Sequence, residues 1–517
     1  MSSWQQHFPF PEWRPSQADG LDFICQAIGE SDDIFFEGPT GVGKSPMAIA
    51  LARLTASVEA SSYISTTTIS LEDQYMRDFE KLGLRQLHSK CHYPCPACRS
   101  CDVGSRELKR LNGTKLFRCE EGDFCSYRCA KVAFQMASFA IANAAYICTC
   151  ARFAPDWAPR DIAVFDEAHL LHDTIADGYS LDIKTNEIDF FPGEGDEPNW
   201  LKNHYSFKLA VQIRELEEEL DDLDEDDPEI QTVCRKLERA EGKQNNLQEM
   251  LSSDPEQWVF DQQDDQLNIS PLWATDLAAD LLPRIGSKRI YLSATLPGFK
   301  HQARYLGIAP NRARFLALPS PFPVEHRLIH ICPVVKWDYR NQDPAIAKTC
   351  RALEKILALH PNDRGLVHVS SYWQAREIVR QCRSPWKKRL LTHENARDKD
   401  GQLEQMFVRP GAVLVSPSSH EGLDLYGDRS RFQVIAKLPY ASLGDKRVKR
   451  RMESDPSWYQ LHTAQKFIQA CGRYIRSDTD YATTYVLDAA FDGFYQRASQ
   501  FLPEYILEAL RVQEVKV

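Results

Sequence analysis

A glycine-rich octapeptide near the amino end has the residue types that bind nucleotide phosphates. The pattern G-x-x-x-x-G-K-[ST] is met by Gly38, Pro39, Thr40, Gly41, Val42, Gly43, Lys44 and Ser45. A strand-like run at 33–37 precedes it and an apolar helical pattern at 48–52 follows. In that setting glycines let backbone N–H groups close on phosphates, and the helix start adds positive potential. The pattern predicts that Lys44 holds the β- and γ-phosphates of ATP and that Ser45 binds Mg²⁺.

A second strand-like run, at 161–165, ends in two adjacent carboxylates within the tetrapeptide D-E-A-H. A carboxylate beside a phosphate loop can hold Mg²⁺ through water, and another can orient and deprotonate the attacking water. We assign Asp166 to the metal and Glu167 to the base. Alone, these residues could be a capping aspartate with exposed neighbours. Paired with the glycine-rich loop, they predict nucleotide hydrolysis.

Cysteines are concentrated in one short block. The chain has 15 cysteines, and seven of them lie between Cys91 and Cys129. In a cytosolic protein such density favours metal binding over disulfides. The spacing of Cys95, Cys98 and Cys101 is common in structural zinc sites, but four thiolates also suit a [4Fe–4S] cluster. The residue types leave both metals open.

The elements that must position these residues alternate between strands and helices. Helical patterns separate short apolar runs at 34–36, 162–165, 290–292, 366–369, 413–415, 434–436 and 485–487. This alternation predicts α/β units with buried parallel strands. The cysteine block breaks the pattern, and so does a region from about Leu181 to Leu267. Its charged stretch, Leu209 to Leu251, predicts a mostly solvated helical hairpin or arm.

Length and charge set broader limits. A chain of 517 residues predicts two to four domains. It has neither an apolar run of about 20 residues nor the apolar core of a signal peptide, so we expect a cytoplasmic location, or a nuclear one in a eukaryote. The net charge of −11 misleads, because eleven acidic residues and no basic one lie between Glu215 and Glu229. The remainder is balanced, so a local groove, not total charge, decides phosphate binding.

The order of these motifs resembles the XPD/DinG group of iron–sulfur helicases in superfamily 2. Arg14 and Gln17, just before the glycine-rich loop, match the group's adenine-side R-x-x-Q motif. The segment 65–74 resembles the T-x-T-x-x-L-x-x-Q element that grips the nucleic-acid backbone. Residues 140–146 resemble the V-x-T-N-H segment, and 291–296 carry the S-A-T element that couples hydrolysis to motion.

The resemblance continues toward the carboxyl end. Residues 366–372 resemble the F-x-S-Y strand end, 421–424 match E-G-[IL]-D, and 469–476 match Q-x-x-G-R-x-[IL]-R. By this resemblance Asp424 lies on the nucleotide side and Gln469 belongs to the catalytic machinery. Arg473 and Arg476 would face the γ-phosphate as arginine fingers, although two such arginines alone would usually be a solvated helix face.

The resemblance also favours iron over zinc, because the group's cluster domain is inserted where the cysteine block lies. Residues 92–95 resemble its N-Y-x-C, and 125–131 resemble the stretch with its last ligands. The implied ligands of a [4Fe–4S] cluster are Cys95, Cys119, Cys125 and Cys129. The surplus residues Cys91, Cys98 and Cys101 are alternates, and zinc or a second metal stays possible.

The resemblance implies two recA-like P-loop motor domains of α/β class, with an inserted cluster domain and a short helical arch-like insertion, as in a compact bacterial or phage member. The first motor domain is expected at 1–88, 136–180 and 271–318, and the second at 319–517. The cluster insertion is expected at 89–135 and the arch-like insertion at 181–270.

The implied activity is an ATP-dependent helicase that moves 5′→3′ on single-stranded DNA and unwinds duplexes. Alternatives are a DNA-stimulated translocase that does not separate strands, an RNA helicase, or a non-enzymatic protein with structural ATP and metal sites. Glu167, Arg473 and Arg476 argue against the last, because turnover needs them and binding does not. Expected partners are single-stranded and forked DNA and a protein at the acidic segment, with no membrane contact and a monomeric chain.

Overall fold

Two parallel sheets form the core of the fold. The computed structural model describes residues 4–94, 125–154, 156–193, 195–223, 229–263, 265–337, 342–417, 425, 427–472, 474–475, 477 and 479–512. The strands of the first sheet are β1 (Asp33–Glu37), β2 (Ser62–Thr66), β3 (Arg85–Gln86), β4 (Phe139–Asn143), β5 (Arg160–Asp166), β9 (Gly286–Ser293) and β10 (Arg314–Ala317). Their order across the sheet is β10-β1-β9-β5-β2-β4-β3, and every pairing is parallel.

The second sheet is also parallel throughout. Its strands are β11 (Ile329–Val335), β12 (Gly365–His368), β13 (Leu390–Thr392), β14 (Val413–Ser416), β15 (Phe432–Ile435), β16 (Thr483–Asp488) and β17 (Leu510–Val512). Their order is β13-β14-β12-β15-β16-β11-β17. All seven runs predicted as strands are confirmed; six agree to within two residues at each end, and β9 begins four residues before the run at 290–292. They form because apolar residues fill both faces of each sheet under covering helices.

Helices connect and cover the strands. In the first half they are α1 (Pro15–Ala27), α2 (Lys44–Ala56), α3 (Ile69–Phe79), α4 (Ser126–Met136), α5 (Ala144–Phe153), α6 (Leu171–Gly178), α7 (Glu197–Trp200), α8 (Ser206–Asp222), α9 (Ile230–Leu251), α10 (Thr275–Leu281) and α11 (Phe299–Tyr305). In the second half they are α12 (Gln342–Leu359), α13 (Tyr372–Gln381), α14 (Lys399–Val408), α15 (Lys446–Ser454), α16 (Pro456–Cys471), α17 (Phe491–Ala498) and α18 (Glu504–Leu507).

The region between β5 and β9 contains the predicted hairpin and more. Helices α8 and α9 pair through a buried apolar seam that includes Leu216, Leu220 and Leu237, and this seam continues into the core of the first lobe. The expectation of a mostly solvated arm is therefore wrong for one face of each helix. A three-stranded antiparallel sheet of β6 (Leu181–Lys184), β8 (Gln266–Pro271) and β7 (Trp258–Gln263) joins the hairpin to the lobe.

That small sheet corrects the expectation of a purely helical insertion. Strands β7 and β8 lie next to each other in sequence and pair as a hairpin, from Trp258 opposite Pro271 to Gln263 opposite Gln266. Strand β8 buries every second residue, including Leu267 and Ile269, which is the alternation of a sheet covered on one face. Within the described ranges, no helix is both long and apolar enough to cross a membrane. The exact domain boundaries stay predictions.

Candidate nucleotide-hydrolysis site

The glycine-rich loop lies between β1 and α2, as the sequence predicted. Gly41 and Gly43 both have φ +87°, in the left-handed region that favours glycine. The Lys44 ammonium donates to the Gly38 carbonyl at 3.1 Å, so the lysine folds back over its own loop. Helix α2 begins at Lys44 and points its free backbone N–H groups into the loop. This arrangement forms an anion-binding cradle.

The R-x-x-Q residues contact this loop directly. Arg14 donates to the Gly41 carbonyl, and the Gln17 amide donates to the Gly43 carbonyl at 3.2 Å. The Gln17 side chain also accepts from the Arg14 backbone N–H at 2.8 Å. The structure therefore brings both predicted nucleotide-side residues to the phosphate loop, where they brace its backbone.

The two carboxylates of D-E-A-H lie beside the loop at the end of β5. Asp166 is buried and accepts a 2.8 Å hydrogen bond from the Tyr75 hydroxyl. Tyr75 is in turn hydrogen-bonded to the hydroxyl of Ser45. Burial, together with the negative charge of Glu167, raises the pKa of Asp166 to about 6, although Lys44 and Tyr75 oppose the shift. The two residues predicted to hold Mg²⁺ are thus joined through one tyrosine.

Glu167 has a strained backbone. Its φ is +53°, which is uncommon for a residue with a Cβ atom. Its backbone N–H donates to Asp166 Oδ1 at 3.0 Å. The side chain is partly exposed, and one oxygen lies 3.3 Å from His169 Nδ1. Such strain collects where the surrounding structure must aim a side chain, which suits a residue that contacts an attacking water.

His169 connects three of the predicted motifs. Its Nδ1 lies 2.8 Å from the Ser293 hydroxyl of the S-A-T element. Its Nε2 contacts the Gln469 amide of the second lobe, and its carbonyl accepts from Gln465 at 3.4 Å. The histidine is buried. It therefore forms a direct polar path from the hydrolysis site to helix α16 of the second lobe.

The second lobe also closes over the phosphate loop itself. A Cβ atom on Gly472 would lie 3.0 Å from the Thr40 hydroxyl, and one on Gly41 would lie 2.6 Å from the Phe322 ring. At both places the nearest atoms belong to a side chain, Phe322 or Thr40, which would have to move to admit a Cβ atom. The predicted residues Arg473, Arg476 and Asp424 fall outside the described residues, as do Glu421, Gly422 and Leu423.

Glu37, the residue before the loop, connects it to the S-A-T segment. Its carboxylate accepts from the Leu296 backbone N–H at 3.2 Å. Burial raises the pKa of Glu37 to about 7, while this hydrogen bond and the charge of Lys44 lower it. A carboxyl group that changes charge near neutral pH therefore lies against Lys44 and the S-A-T element.

The segments compared with strand-gripping elements meet at one edge of each sheet. In the first lobe the Asn143 amide donates to the Thr67 carbonyl at 3.1 Å, which joins the ends of β2 and β4. Thr68 and Asn143 cap α3 and α5. In the second lobe Ser371 caps α13 directly after β12. All are at carboxyl ends of parallel strands, where open α/β sheets bind ligands.

The structure describes the two ends of the cysteine block, residues 91–94 and 125–129. The Ser126 hydroxyl donates to the Pro94 carbonyl at 2.9 Å, and the Tyr93 and Tyr127 rings lie 5.5 Å apart. Cys125 caps the start of α4, accepting from the Arg128 N–H at 3.5 Å, and Cys129 lies one turn later on the same face. Cys91 is exposed beside Ser89 and His92. Cys95, Cys98, Cys101 and Cys119 lie outside the described residues.

The chain has a basic run at 446–451. It forms α15, and three of its arginines bind the first lobe. Arg450 donates to the carbonyls of Trp258 and Glu256, at 2.6 and 2.9 Å. Arg447 and Arg451 pair with carboxylates of α6. The charges serve contact between lobes, which only the tertiary structure decides.

Two functional positions had no distinguishing sequence signal. Tyr75 directly follows the T-x-T-x-x-L-x-x-Q element, yet its hydroxyl reaches Asp166. Phe322 lies in the connection between the lobes and packs on Gly41. Both residues have the local sequence pattern of ordinary core aromatics, because their roles depend on contacts with residues distant in sequence.

Comparison with known proteins agrees with this geometry. Residues 353–507 match a family model described as Helicase C-terminal domain. The ATP-dependent DNA helicase YoaA of Escherichia coli (strain K12) is 31% identical over 235 residues, which are 43% of this chain and 36% of YoaA. The ATP-dependent DNA helicase DinG of Photobacterium profundum is 28% identical over 243 residues, 43% of this chain and 34% of DinG. The chain thus matches about a third of the length of these curated relatives.

The fold is similar along nearly the whole chain to a solved structure. The structure of S. tokodaii Xpd4 superposes with a TM-score of 0.59 at 16% identity, covering 97% of this chain and 100% of that one. At this identity the similarity concerns the fold, which is two recA-like lobes. The motif order, the match of residues 353–507 to the helicase C-terminal domain and this architecture make the chain similar to YoaA, DinG and Xpd4.

Proposed function

We propose that this protein is an ATP-dependent DNA helicase that couples ATP hydrolysis to 5′→3′ movement on single-stranded DNA and to duplex unwinding. One observation carries the proposal. His169, within D-E-A-H, contacts both Ser293 of the first lobe and Gln469 of the second, directly beside Asp166 and Glu167. A hydrolysis site built across two lobes can convert a change at the nucleotide into relative motion of the lobes.

The residues have distinct roles in the proposed cycle. Lys44 and the loop N–H groups hold the phosphates, and Arg14 and Gln17 brace the loop on its nucleotide side. Ser45 and Asp166 would hold Mg²⁺, which neutralises charge on the phosphates when bound. Glu167 orients and deprotonates the attacking water. Arg473 and Arg476 stabilise charge that develops on the γ-phosphate, and Asp424 contributes to the nucleotide side.

Nucleic acid is proposed to lie across the carboxyl edges of the two sheets. Thr68 and Asn143 mark this edge in the first lobe and Ser371 marks it in the second. Backbone N–H groups and hydroxyls at such edges suit phosphate contacts, which position a strand without reading its sequence. The relatives are called DNA helicases, which favours DNA over RNA, and their bacterial sources favour a cytoplasmic location for a chain acting as a monomer.

The first experiment measures ATP turnover with and without single-stranded DNA. Lys44→Ala should abolish hydrolysis, because the charge that holds the β- and γ-phosphates is removed. Lys236→Ala, at an exposed position of α9, is the matched control and should hydrolyse ATP at the wild-type rate. DNA-stimulated turnover by Lys44→Ala at the wild-type rate would exclude the proposed site.

A second experiment separates a helicase from a translocase. Forked, 5′-tailed and 3′-tailed duplexes of DNA and of RNA are mixed with protein and ATP, and strand separation is followed by fluorescence. Unwinding of forked and 5′-tailed DNA supports the proposal. DNA-stimulated hydrolysis without strand separation would favour a translocase or remodeller, and unwinding of RNA alone would favour an RNA helicase.

We further propose that the cysteine block holds a [4Fe–4S] cluster through Cys95, Cys119, Cys125 and Cys129, with Cys91, Cys98 and Cys101 as alternates and Zn²⁺ as the alternative metal. Two features of the described residues suit this group. Cys125 and Cys129 lie one turn apart on the same face at the start of α4. The bond between Ser126 and Pro94 holds the two ends of the block side by side.

Anaerobic purification with metal analysis and visible absorption tests the cluster. About four irons per chain and broad absorption near 400 nm are expected for a [4Fe–4S] centre. Cys125→Ser should lose the iron, whereas Cys25→Ser, a half-buried thiol on α1, should keep it. One or two zinc ions and no colour would instead assign the block to a structural zinc site.

The acidic segment is proposed to contact a basic protein partner. On α8 its carboxylates, including Glu217, Glu218 and Asp221, are exposed. They would repel a nucleic-acid backbone, so this part of α8 is expected to face solvent or a basic surface. Binding that weakens steeply with added salt would support such a contact.

A further inference from the structure

A buried arginine of the second lobe is fixed in the first lobe. Arg451 of α15 is 3% exposed. Its guanidinium donates to Asp173 Oδ1 at 2.7 Å and to the Leu272 carbonyl at 2.6 Å. The same group lies against an edge-to-face pair of indoles, 5.1 Å from the Trp273 ring and 5.2 Å from the Trp458 ring. Arginine suits this place, because its planar group can bond at its edges while it contacts aromatic rings.

Asp173 is the partner of several cations. It lies on α6, shortly after the D-E-A-H residues in the sequence. Besides Arg451 it lies 3.6 Å from Arg447 and 3.5 Å from His172. Burial alone would raise its pKa, but the hydrogen bond from His172 and the charges of both arginines hold the pKa of Asp173 well below its usual range. The carboxylate is therefore ionised, and this partly exposed group pairs with a buried arginine across the two lobes.

The anchored residue leads directly into the helix that reaches the hydrolysis site. Helix α15 ends at Ser454, and Asp455 caps the start of α16, accepting from the N–H of Ser457 at 2.9 Å. Asp455 also accepts from the Tyr305 hydroxyl of the first lobe at 2.6 Å. The other end of α16 carries Gln469, in contact with His169, and is followed by Gly472 against Thr40.

Because α16 is attached to the first lobe at its amino end, a small rotation there displaces its carboxyl end. Its 16 residues span roughly 24 Å at about 1.5 Å per residue. A tilt of about 4° at the anchored end would therefore move the other end by roughly 2 Å. A misplacement of about 1 Å can lower a rate on the order of a hundredfold. The anchor contacts neither the phosphate loop nor His169, yet it sets where α16 meets both.

We propose that Arg451 and Asp173 are positioning residues that fix the amino end of α16 on the first lobe. This attachment places the carboxyl end of α16 correctly against the phosphate loop and His169. This inference rests on the proposed ATP hydrolysis. Its alternative is that the buried pair contributes to stability alone. The two differ in kcat, because a contact that only stabilises leaves the rate of the folded enzyme unchanged.

The test uses a pair of substitutions that remove both charges together. Asp173→Asn alone leaves the buried Arg451 without its charged partner, and Arg451→Met alone leaves Asp173 with Arg447 as its remaining arginine; both are expected to lower stability. The double variant Asp173→Asn/Arg451→Met removes both charges, and the methionine retains an unbranched stem against the indoles. We expect its melting temperature to return to within about 2–4 °C of wild type, in the range of a small change in unfolding free energy.

The measurement is DNA-stimulated ATP hydrolysis, in which kcat and KM for ATP are determined separately for each variant. For the double variant we expect kcat to fall by about tenfold or more, with KM for ATP within about twofold, because α16 is displaced while the phosphate loop is intact. Asp280→Asn, which breaks the exposed pair of Asp280 with Arg284, is the matched control and should leave both values unchanged.

A double variant with wild-type kcat would overturn the inference. If that variant does not fold, Arg451→Lys decides, because it keeps the charge opposite Asp173 but lacks the planar group that bonds Asp173 and Leu272 at once beside the indoles. A lower kcat at unchanged KM is expected, and a wild-type kcat again overturns it. If wild-type protein shows no DNA-stimulated hydrolysis, the proposed function is refuted instead. Failure of the positioning inference and failure of the proposed function are therefore distinguishable.

Discussion

Two glycines of the phosphate loop adopt backbone angles that other residues rarely reach. Gly41 and Gly43 have φ +87°, and a Cβ atom on Gly43 would collide with the Gln17 amide. The loop therefore depends on glycine both for its conformation and for close approach of the side chain that braces it. Glu167 has a Cβ atom and still adopts a positive φ, so the surrounding structure must hold its backbone in this strained conformation.

We predict that Gly43→Ala destroys nucleotide binding, because the added methyl group displaces Gln17 and strains the loop by about 1–2 kcal/mol. Binding of a fluorescent ATP analogue measures it. Gly401→Ala is the control, since a Cβ atom on Gly401 would lie in open space and α-helices such as α14 favour alanine. Equal nucleotide affinity in both variants would contradict the steric argument.

A buried carboxyl group should make stability depend on pH. Burial raises the pKa of Glu37 to about 7 from an ordinary value of 4.5. Between these values the unfolded chain has lost a proton that the folded protein retains, so stability is greatest below 4.5 and falls as the pH rises toward 7. A substitution of Glu37 that cannot ionise should remove this loss of stability.

We predict that Glu37→Gln matches wild type near pH 4.5 and is more stable at pH 8 by roughly 1–3 kcal/mol, since glutamine can still accept from the Leu296 N–H. Denaturant unfolding at the two pH values measures the difference. A difference that is the same at both values would show that Glu37 does not titrate in this range.

At the scale of elements, the insertion shows how a charged sequence can still form a packed unit. Helices α8 and α9 carry many charges, yet Leu216, Leu220 and Leu237 form a buried seam between them. The small sheet β6-β8-β7 attaches the hairpin to the first lobe. The sequence predicted the helices from their periodicity, but the sheet was missed because its strands are short and lie within a polar region.

We predict that Leu237→Ala destabilises this unit by about 2–4 kcal/mol, because Leu237 is 1% exposed and truncation leaves a cavity. Gly242→Ala on the same helix should instead stabilise it by about 0.5–1 kcal/mol, since Gly242 has free space around it. Hydrogen exchange of α8 and α9 measures both changes, and equal protection in the two variants would contradict the packing assignment.

At the scale of the whole molecule, two contacts between the lobes have different positions and roles. Arg451 and Asp173 lie at the amino end of α16, and Gln469 and His169 meet near its carboxyl end. The first contact is an ion pair of a buried arginine, whereas the second is a polar contact beside the candidate hydrolysis site. A helix held at both ends transmits displacement along its length, because its backbone hydrogen bonds make it stiff.

We predict that Gln469→Ala lowers DNA-stimulated kcat by about tenfold while ATP affinity stays within about twofold, because Gln469 contacts His169 and not the phosphate loop. Turnover with and without single-stranded DNA, together with ATP binding, measures both quantities. Gln405→Ala, at an exposed position of α14, is the control. A large loss of ATP affinity in Gln469→Ala would place the residue in nucleotide binding instead.

The sequence alone determined the buried strands and the phosphate loop, because each depends on residues adjacent in the chain. Runs such as Ile34–Phe36 bury both faces of a strand wherever they fold, and Gly41, Gly43 and Lys44 form one local turn. Arg14 and Gln17 were identified by their match to the R-x-x-Q motif of the group that the chain resembles, and the structure brings them to that loop.

Only the tertiary structure decided the roles of Tyr75, Phe322 and Arg451. Each contacts a residue far away in sequence, namely Asp166, Gly41 and Asp173. An arginine in a basic run has the same local signal whether it faces solvent, a phosphate or a buried carboxylate. The difference arises from which surfaces the fold brings together, and from the desolvation that makes a buried charge require a partner.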